Sequence, residues 1–273
     1  MQDPLPSNPV RLKKPIVLLL LCSVAALLLF WMYAAPAGLL GKADAVGYAV
    51  CHRIDGRSFH LGERALPLCA RCTGMYLGAA LGLVYQALRS PHRGGFPPRR
   101  VWAVWAFFLA AFGIDGVNSY LHLFPLPLGV YEPQNWLRLV TGTGMGLALA
   151  GVVFPAFNQT AWLDWSPQPA IPGLRSMAVL ALLALGVDGL VLTENPLLLY
   201  PLALVSAATV LVVLTMVYSL VWLMLLRREN VSLRLAQLAF PLAAGFGLAL
   251  LQIALLDLVR YWLTGTWDGF HLG

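Results

Sequence analysis

Residues 69–82 have the sequence CARCTGMYLGAALG, and the spacing of small residues in this stretch decides how the chain is expected to pack. Gly74, Gly78 and Gly82 recur every four residues, so they lie on one face of a helix. The stretch GTGMGLALA (142–150) has small residues at the same interval. Because small residues at this spacing let helix backbones approach closely in lipid, we predict that the two helices pack directly against each other.

The composition places these helices in a membrane. Of the 273 residues, 59% are hydrophobic and 11% are charged, whereas a soluble domain has about 25% charged residues. The mean hydropathy is +0.75. The net charge of +6 is attributed to lysine and arginine residues that flank the helices and set their orientation in the membrane. No basic stretch is interleaved with stacking aromatics, so we expect a lipid bilayer and no nucleic acid as partner.

The apolar segments predict an all-α integral membrane protein, a bundle of about seven transmembrane helices. A spanning helix needs about 20 apolar residues, and only helices or closed barrels satisfy their backbone in lipid. The predicted spans are residues 15–40, 72–89, 101–123, 136–156, 175–194, 198–226 and 235–263.

The predicted spans divide the chain into three regions. Residues 1–44 form an N-terminal tail with the first transmembrane helix. Residues 45–156 form a core with a cysteine segment and three transmembrane helices. Residues 157–273 form a C-terminal extension of three helices.

Lysine and arginine residues indicate the orientation. Eleven fall on the side of the N-terminus and seven on the other side. Because positive residues concentrate on the cytoplasmic side, we expect a multi-pass protein of the cell membrane with a cytoplasmic N-terminus and an external cysteine segment.

The segment CHRIDGRSFHLGERALPLCARC (51–72) holds three of the four cysteines. Cys69 and Cys72 are three residues apart and share a helix face, and Cys51 with His52 can fold back over them. Three thiolates and one imidazole form a tetrahedral zinc site, so these four residues are the predicted metal ligands and zinc the expected cofactor. Thiol–disulfide exchange and a static disulfide remain as alternatives.

Charged residues inside the spans indicate a second site. Such residues are costly in lipid and usually face the protein interior. Asp115 lies late in the third span and Arg138 opens the fourth, so both fall on the side of the cysteine segment. We predict that they form a salt bridge, and we take them as the candidate catalytic residues. Asp188 and Asp257 also lie late in their spans.

The cysteine segment resembles a known family. The stretch CHRIDGRSFHLGERALPLCARCTGMYLG (51–78) resembles the signature of the prokaryotic membrane family known as domain of unknown function 2085. The later DGVNSY and NWLRLVTGTGMG are similar to that family's following helices, so the resemblance spans about residues 45–155. It implies a multi-pass prokaryotic membrane protein and no particular activity, and His60 is not part of its pattern.

Three functions are consistent with these features. The first is a membrane enzyme in which the cysteine cluster holds a metal over an outer-leaflet polar site for a lipid-linked or anionic substrate. The second is a quinone-linked thiol–disulfide redox protein. The third is a transporter-like module, which the apolar inner halves of the spans disfavour. The sequence has no catalytic motif such as H-E-x-x-H, so enzymatic activity is left open.

Overall fold

The computed structural model describes residues 13–122 and 129–268. These residues form eight α-helices: α1 Lys14–Ala34, α2 Gly38–Val50, α3 Ala70–Arg89, α4 Arg99–Leu121, α5 Asn135–Ala161, α6 Leu174–Leu192, α7 Pro196–Leu225 and α8 Ala239–Thr264. Single 3-10 turns cover Asp55–Arg57 and Leu235–Leu238. The short strands β1 His60–Leu61 and β2 Arg64–Ala65 pair antiparallel, and β3 Arg93–Gly95 pairs parallel with β4 Ser166–Pro169.

The predicted all-α membrane bundle is confirmed. Within the described residues, six helical segments are long and apolar enough to cross a membrane: α1, α4, α5, α6, α7 and Leu235–Thr264, which contains α8. The predicted span 72–89 corresponds to α3, which has 20 residues but a more polar sequence and is not among the six. Its glycines and the side chain of Gln86 face the interior of the bundle, where they contact α5.

The predicted first span, 15–40, is divided into two helices. Pro36 follows Ala35, whose backbone is extended (φ −72°, ψ 153°), because a residue before proline avoids the helical region. Gly38 has φ +79° and begins the shorter α2, a turn that favours glycine. Lys42 of α2 donates to the carbonyl of Ala35 at 2.7 Å and so covers the end of α1. Proline therefore ends the first span earlier than its hydropathy indicated.

The closest helix pair is α3 with α5, which run in the same direction. A Cβ added to Gly78 would come closer than 3.0 Å to the carbonyl oxygen of Thr143, and one on Gly146 would do the same at Met75. The helices thus meet backbone to backbone, which confirms the prediction from the four-residue spacing.

Buried side-chain amides stabilise the C-terminal ends of α3 and α5. Gln86 donates to the carbonyls of Gly82 and Ala150, each at 3.0 Å, and so joins α3 to α5. Asn158 donates to the carbonyls of Pro91 and Arg93, each at 3.0 Å, and fixes the connection that leaves α3. Because an unpaired polar group in lipid is costly, these bonds favour one register of the two helices.

The course of the chain gathers several helix ends at one end of the bundle, here called the cysteine end. Helices α1, α4, α6 and α8 finish there, and α3, α5 and α7 begin there. The short α2 lies at this end and leads into the cysteine segment. The polar residues at these helix ends therefore come together although they are far apart in sequence.

The glycine contact between α3 and α5 gives a first test. We expect Gly78→Leu or Gly146→Leu to destabilise the protein by at least about 1–3 kcal/mol, the usual cost of overpacking, since the neighbouring atoms belong to backbone. The measurement is the unfolding midpoint in detergent. Gly186→Leu is the matched control, because a Cβ there meets no atom within 4 Å. Equal midpoints for all three variants would contradict the assigned interface.

Candidate functional site

Three cysteines converge where α2 ends and α3 begins. Cys51 is the C-cap of α2, Cys69 is the N-cap of α3, and Cys72 lies in the first turn of α3. Their sulfur atoms all lie within 4.8 Å of one another. The backbone N–H of Cys69 donates to the Cys51 sulfur at 3.3 Å, and all four cysteines of the chain are free thiols.

The cysteines of this cluster differ in their pKa values. Hydrogen bonds from the thiols of Cys69 and Cys72 lower the pKa of Cys51 well below its ordinary value. Donation to Cys51 in turn raises the pKa of Cys69 to about 12. Cys51 is thus the thiol of the cluster that loses its proton most readily. Three converging sulfurs are the donor set that suits zinc, so these residues fit the metal predicted from the sequence.

The two histidines of the segment differ in their distance from the sulfurs. The His52 side chain interacts with Cys51 and helps to lower the pKa of that thiol, and its Nδ1 accepts the N–H of Ile54 at 3.4 Å. Its ring nitrogens are not among the described ligand atoms that converge. His60 bonds Asp55 at 2.9 Å instead. Three of the four predicted ligands therefore meet, and His52 lies beside them.

Charged side chains hold the cysteine segment in place. Asp44 of α2 pairs with Arg53 at 3.0 Å and also with Arg64. Arg260 of α8 donates to the carbonyls of Tyr48 and Cys51, each at 2.6 Å. The position of Cys51 is thus set by a helix more than 200 residues away in sequence.

Asp115 lies in the bundle interior, as predicted, with 1% of its surface exposed. Its ion-pair partner is Arg71 of the cysteine segment, whereas the sequence favoured Arg138. Arg71 also donates to the Asp115 carbonyl at 3.0 Å, and the Tyr131 hydroxyl donates to the carboxylate at 3.1 Å. Arg71 lies in the first turn of α3, from which its long side chain reaches both Asp115 and Ser119 on α4.

Arg138 donates to Ser119, which lies one turn beyond Asp115 on α4. Its Nε donates to Ser119 Oγ at 3.3 Å and its Nη1 to Asn135 at 2.7 Å. Arg71 donates to the same Ser119 Oγ at 3.0 Å, and Arg57 donates to the Ser119 carbonyl at 2.8 Å. Three guanidinium groups therefore surround one serine; we call Arg57, Arg71 and Arg138 the arginine cluster.

The arginine cluster carries more positive than negative charge. The contacting nitrogens of Arg71 and Arg138 lie 3.0 and 3.3 Å from one oxygen. Two like charges about 6 Å apart repel by about 3 kcal/mol at an effective dielectric constant of about 20. Burial, followed by repulsion from Arg71, lowers the pKa of Arg57. Within the described residues, Asp115 is the carboxylate that ion-pairs with this cluster, so the site can accept a further anion.

Hydrogen bonds with Asn118 of α4 position Tyr131, which lies between α4 and α5. Asn118 donates to the Tyr131 carbonyl at 2.8 Å, and its side-chain oxygen accepts the N–H groups of Val130 and Tyr131 at 2.8 and 3.3 Å. Burial, followed by the charge of Asp115, raises the pKa of Tyr131. The phenol therefore stays protonated and is a donor at the edge of the arginine cluster.

Sequence reasoning missed Arg57, Arg71, Ser119 and Tyr131 as members of the site. Arg57 and Arg71 lie in the stretch that resembles the family signature, which was the available signal. Asp188 does not join them, because it accepts a hydrogen bond from Thr143 at 2.7 Å between α5 and α6.

Comparison with known proteins finds relatives in archaea. An uncharacterised protein of Methanocaldococcus jannaschii is 26% identical over 113 residues, which cover 41% of this chain and 67% of that protein. One of Methanothermobacter thermautotrophicus is 31% identical over 101 residues, covering 37% and 81%. A Sulfolobus acidocaldarius protein described as quinol oxidase subunit 1 is 32% identical over 95 residues, covering 34% and 18%. No solved structure matches the chain.

The matched region is the part of the chain that builds the site. A family model described as predicted membrane protein (DUF2085) matches residues 51–152, from Cys51 to the middle of α5. That range contains the cysteine cluster, the arginine cluster and Asp115. The family match, with the relative that the chain covers over four fifths of its length, shows that this chain belongs to the DUF2085 family of membrane proteins.

Proposed function

We propose that this membrane protein binds the anionic group of a lipid-linked or other anionic substrate at the arginine cluster, beside a metal held by Cys51, Cys69 and Cys72. The observation that carries the proposal is the meeting of three guanidinium groups on Ser119 with one carboxylate as ion-pair partner. A buried excess of positive charge is costly, and an anion would offset it. Arginine also binds phosphate and carboxylate groups in a bidentate manner.

The candidate catalytic residues take separate roles in this proposal. Arg138 would bind the anion directly, together with Arg57, since neither of them pairs with Asp115. Asp115 would orient Arg71 and the Tyr131 hydroxyl.

The metal has a structural role in the proposal. Zinc held by three thiolates would fix the start of α3 to the end of α2, and with them the position of Arg71. The fourth position would be taken by His52 or by an external ligand. A closed site with four protein ligands is structural, because it leaves no position for a substrate.

The orientation also belongs to the proposal. The seven positive residues at the cysteine end all donate to groups of the protein itself: Lys42, Arg53, Arg57, Arg64, Arg71, Arg138 and Arg260. Because these seven charges are used within the protein, we give them less weight in assigning the location of the cysteine end. The eleven on the other side support a cytoplasmic N-terminus and an outer-leaflet site.

A second candidate function is a quinone-linked thiol–disulfide protein. It is favoured by the similarity of 95 residues to a protein described as quinol oxidase subunit 1 and by the three adjacent free thiols. Two thiols would lose two protons and two electrons to a quinone, which would give one disulfide and one quinol. The first experiment below distinguishes this function from the metal site.

Metal content and thiol titration test the cysteine cluster. We expect about one zinc per purified chain, and loss of the metal in Cys51→Ser, Cys69→Ser and Cys72→Ser. Cys22→Ser is the matched control, since Cys22 is exposed on α1, away from the cluster. His52→Gln should weaken zinc binding without abolishing it if His52 completes the site. Metal-free protein with a reducible disulfide would contradict the zinc site and support the redox function.

Anion binding tests the arginine cluster. Calorimetry with dioctanoyl phosphatidic acid and with inorganic phosphate separates a lipid headgroup from a free anion. We expect Arg57→Gln and Arg138→Gln to weaken binding at least about tenfold, since a hydrogen bond to a charged group contributes about 1.5–3 kcal/mol. Asp115→Asn should strengthen binding by removing the competing carboxylate. Arg100→Gln, an exposed arginine at the start of α4, is the control; unchanged affinity in all variants would refute the site.

Labelling of introduced cysteines tests the orientation. Glu63→Cys is exposed at the cysteine end, and Gln168→Cys is exposed at the opposite end. We expect an impermeant maleimide to label Glu63→Cys in intact cells and Gln168→Cys only after lysis. The reverse pattern would place the arginine cluster in the cytoplasmic leaflet.

A further inference from the structure

A cavity lies between α1 and α8, close to the cysteine end. Its volume is about 340 Å³, within the range of small-molecule sites. Its walls are mainly apolar and carry several aromatic side chains: Phe30, Trp31, Tyr261 and Trp267. Trp31 also belongs to the buried core that contains Cys51 and Cys69, and Trp267 packs against that core. The cavity is thus built into the end of the bundle.

Among the described residues, one carboxyl group lines the cavity. Asp257 of α8 is 3% exposed. The Trp31 indole donates to its Oδ2 at 3.4 Å, and its Oδ1 is buried without a hydrogen-bond partner among the described residues. Leaving a buried polar atom unpaired costs about the strength of a hydrogen bond. A carboxyl group at this position in a spanning helix indicates a binding site, since ionisable groups in lipid are expensive.

The nearest cation on the same helix is directed elsewhere. The Arg260 guanidinium donates to the carbonyls of Tyr48 and Cys51 and lies 4.0 Å from the centre of the Tyr48 ring. It therefore serves the end of α2 and does not reach the Asp257 carboxylate within ion-pair distance. The Asp257 Oδ1 atom can therefore accept a hydrogen bond from a bound donor.

We propose that this cavity binds a membrane-soluble aromatic alcohol, of the hydroquinone or phenol class, with its ring hydroxyl donating to Asp257 Oδ1. The aromatic walls suit a flat ring, and the carboxylate is an acceptor that pairs with a hydroxyl donor. An apolar tail would leave between the helices into lipid, since Phe30 and Leu258 line the cavity and are 66% and 64% exposed.

Other occupants fit the cavity less well. A plain acyl chain would leave Oδ1 without a donor. A divalent cation would need several oxygen ligands, and Asp257 is the one carboxylate among the described residues of the lining. The site is separate from the arginine cluster, so the inference stands whether or not that cluster binds an anion.

The test compares two ligands that differ only in their donors. Purified protein in detergent is titrated with a decyl-substituted trimethylhydroquinone and with its dimethyl ether, and the fluorescence of Trp31 and Trp267 reports binding. We expect the hydroquinone to bind at least about tenfold more tightly than the ether, which has no hydroxyl group. In Asp257→Leu the two ligands should bind equally and weakly, whereas Asp257→Asn keeps an acceptor oxygen and should retain most of the preference.

The controls separate this site from the others. Asp188→Asn changes a buried carboxylate that Thr143 already satisfies, so it should leave hydroquinone affinity unchanged. Arg138→Gln should also leave hydroquinone affinity unchanged, whereas we expect that variant to bind the anion more weakly. If wild-type protein binds both ligands equally or binds neither, or if Asp257→Leu keeps the preference, the cavity is only a lipid-facing crevice. The wild-type comparison of the two ligands decides the matter even if Asp257→Leu does not fold.

Discussion

The direct backbone contact between α3 and α5 is the constraint on which the rest of the structure depends. Glycines spaced four apart remove the side chains that would otherwise separate the helices, and lipid offers no hydrophobic force to replace that contact. Four of the functional residues lie at the starts of these two helices: Cys69, Arg71 and Cys72 on α3, and Arg138 on α5. Two helices that touch along their backbones and run in parallel therefore place the cysteine cluster next to the arginine cluster.

Electrostatic interaction links the cysteine cluster to the arginine cluster. Burial and repulsion from Arg71 lower the pKa of Arg57, and negative charge at the cysteine cluster would oppose that shift. Asp115 supplies the rest of the compensation through Arg71. The excess positive charge is held by packing and by hydrogen bonds to Ser119. An anion arriving from the membrane surface would find donors already in position, with little reorganisation.

Polarity is distributed unequally between the two ends of the bundle. The cysteine end holds the cysteine cluster, the arginine cluster and the buried aspartates, whereas the opposite end is closed by the pairing of β3 with β4 and by amides such as Gln86 and Asn158. Arg260 extends the polar region to α8 by holding the carbonyl of Cys51. The cavity beside Asp257 is therefore joined to the cysteine cluster through protein groups and opens towards lipid on its other side.

The sequence by itself determined the membrane class, the helical fold, the α3–α5 contact and the grouping of the cysteines, because hydropathy, glycine spacing and C-x-x-C spacing are local properties. Only the tertiary structure decided which arginine pairs with Asp115. Arg71 and Arg138 were both within reach on the basis of span depth, and the choice depends on how α3 is placed against α4. The same holds for Ser119 and Asp257, whose roles come from residues 48 and 226 positions away that approach them only in the folded bundle.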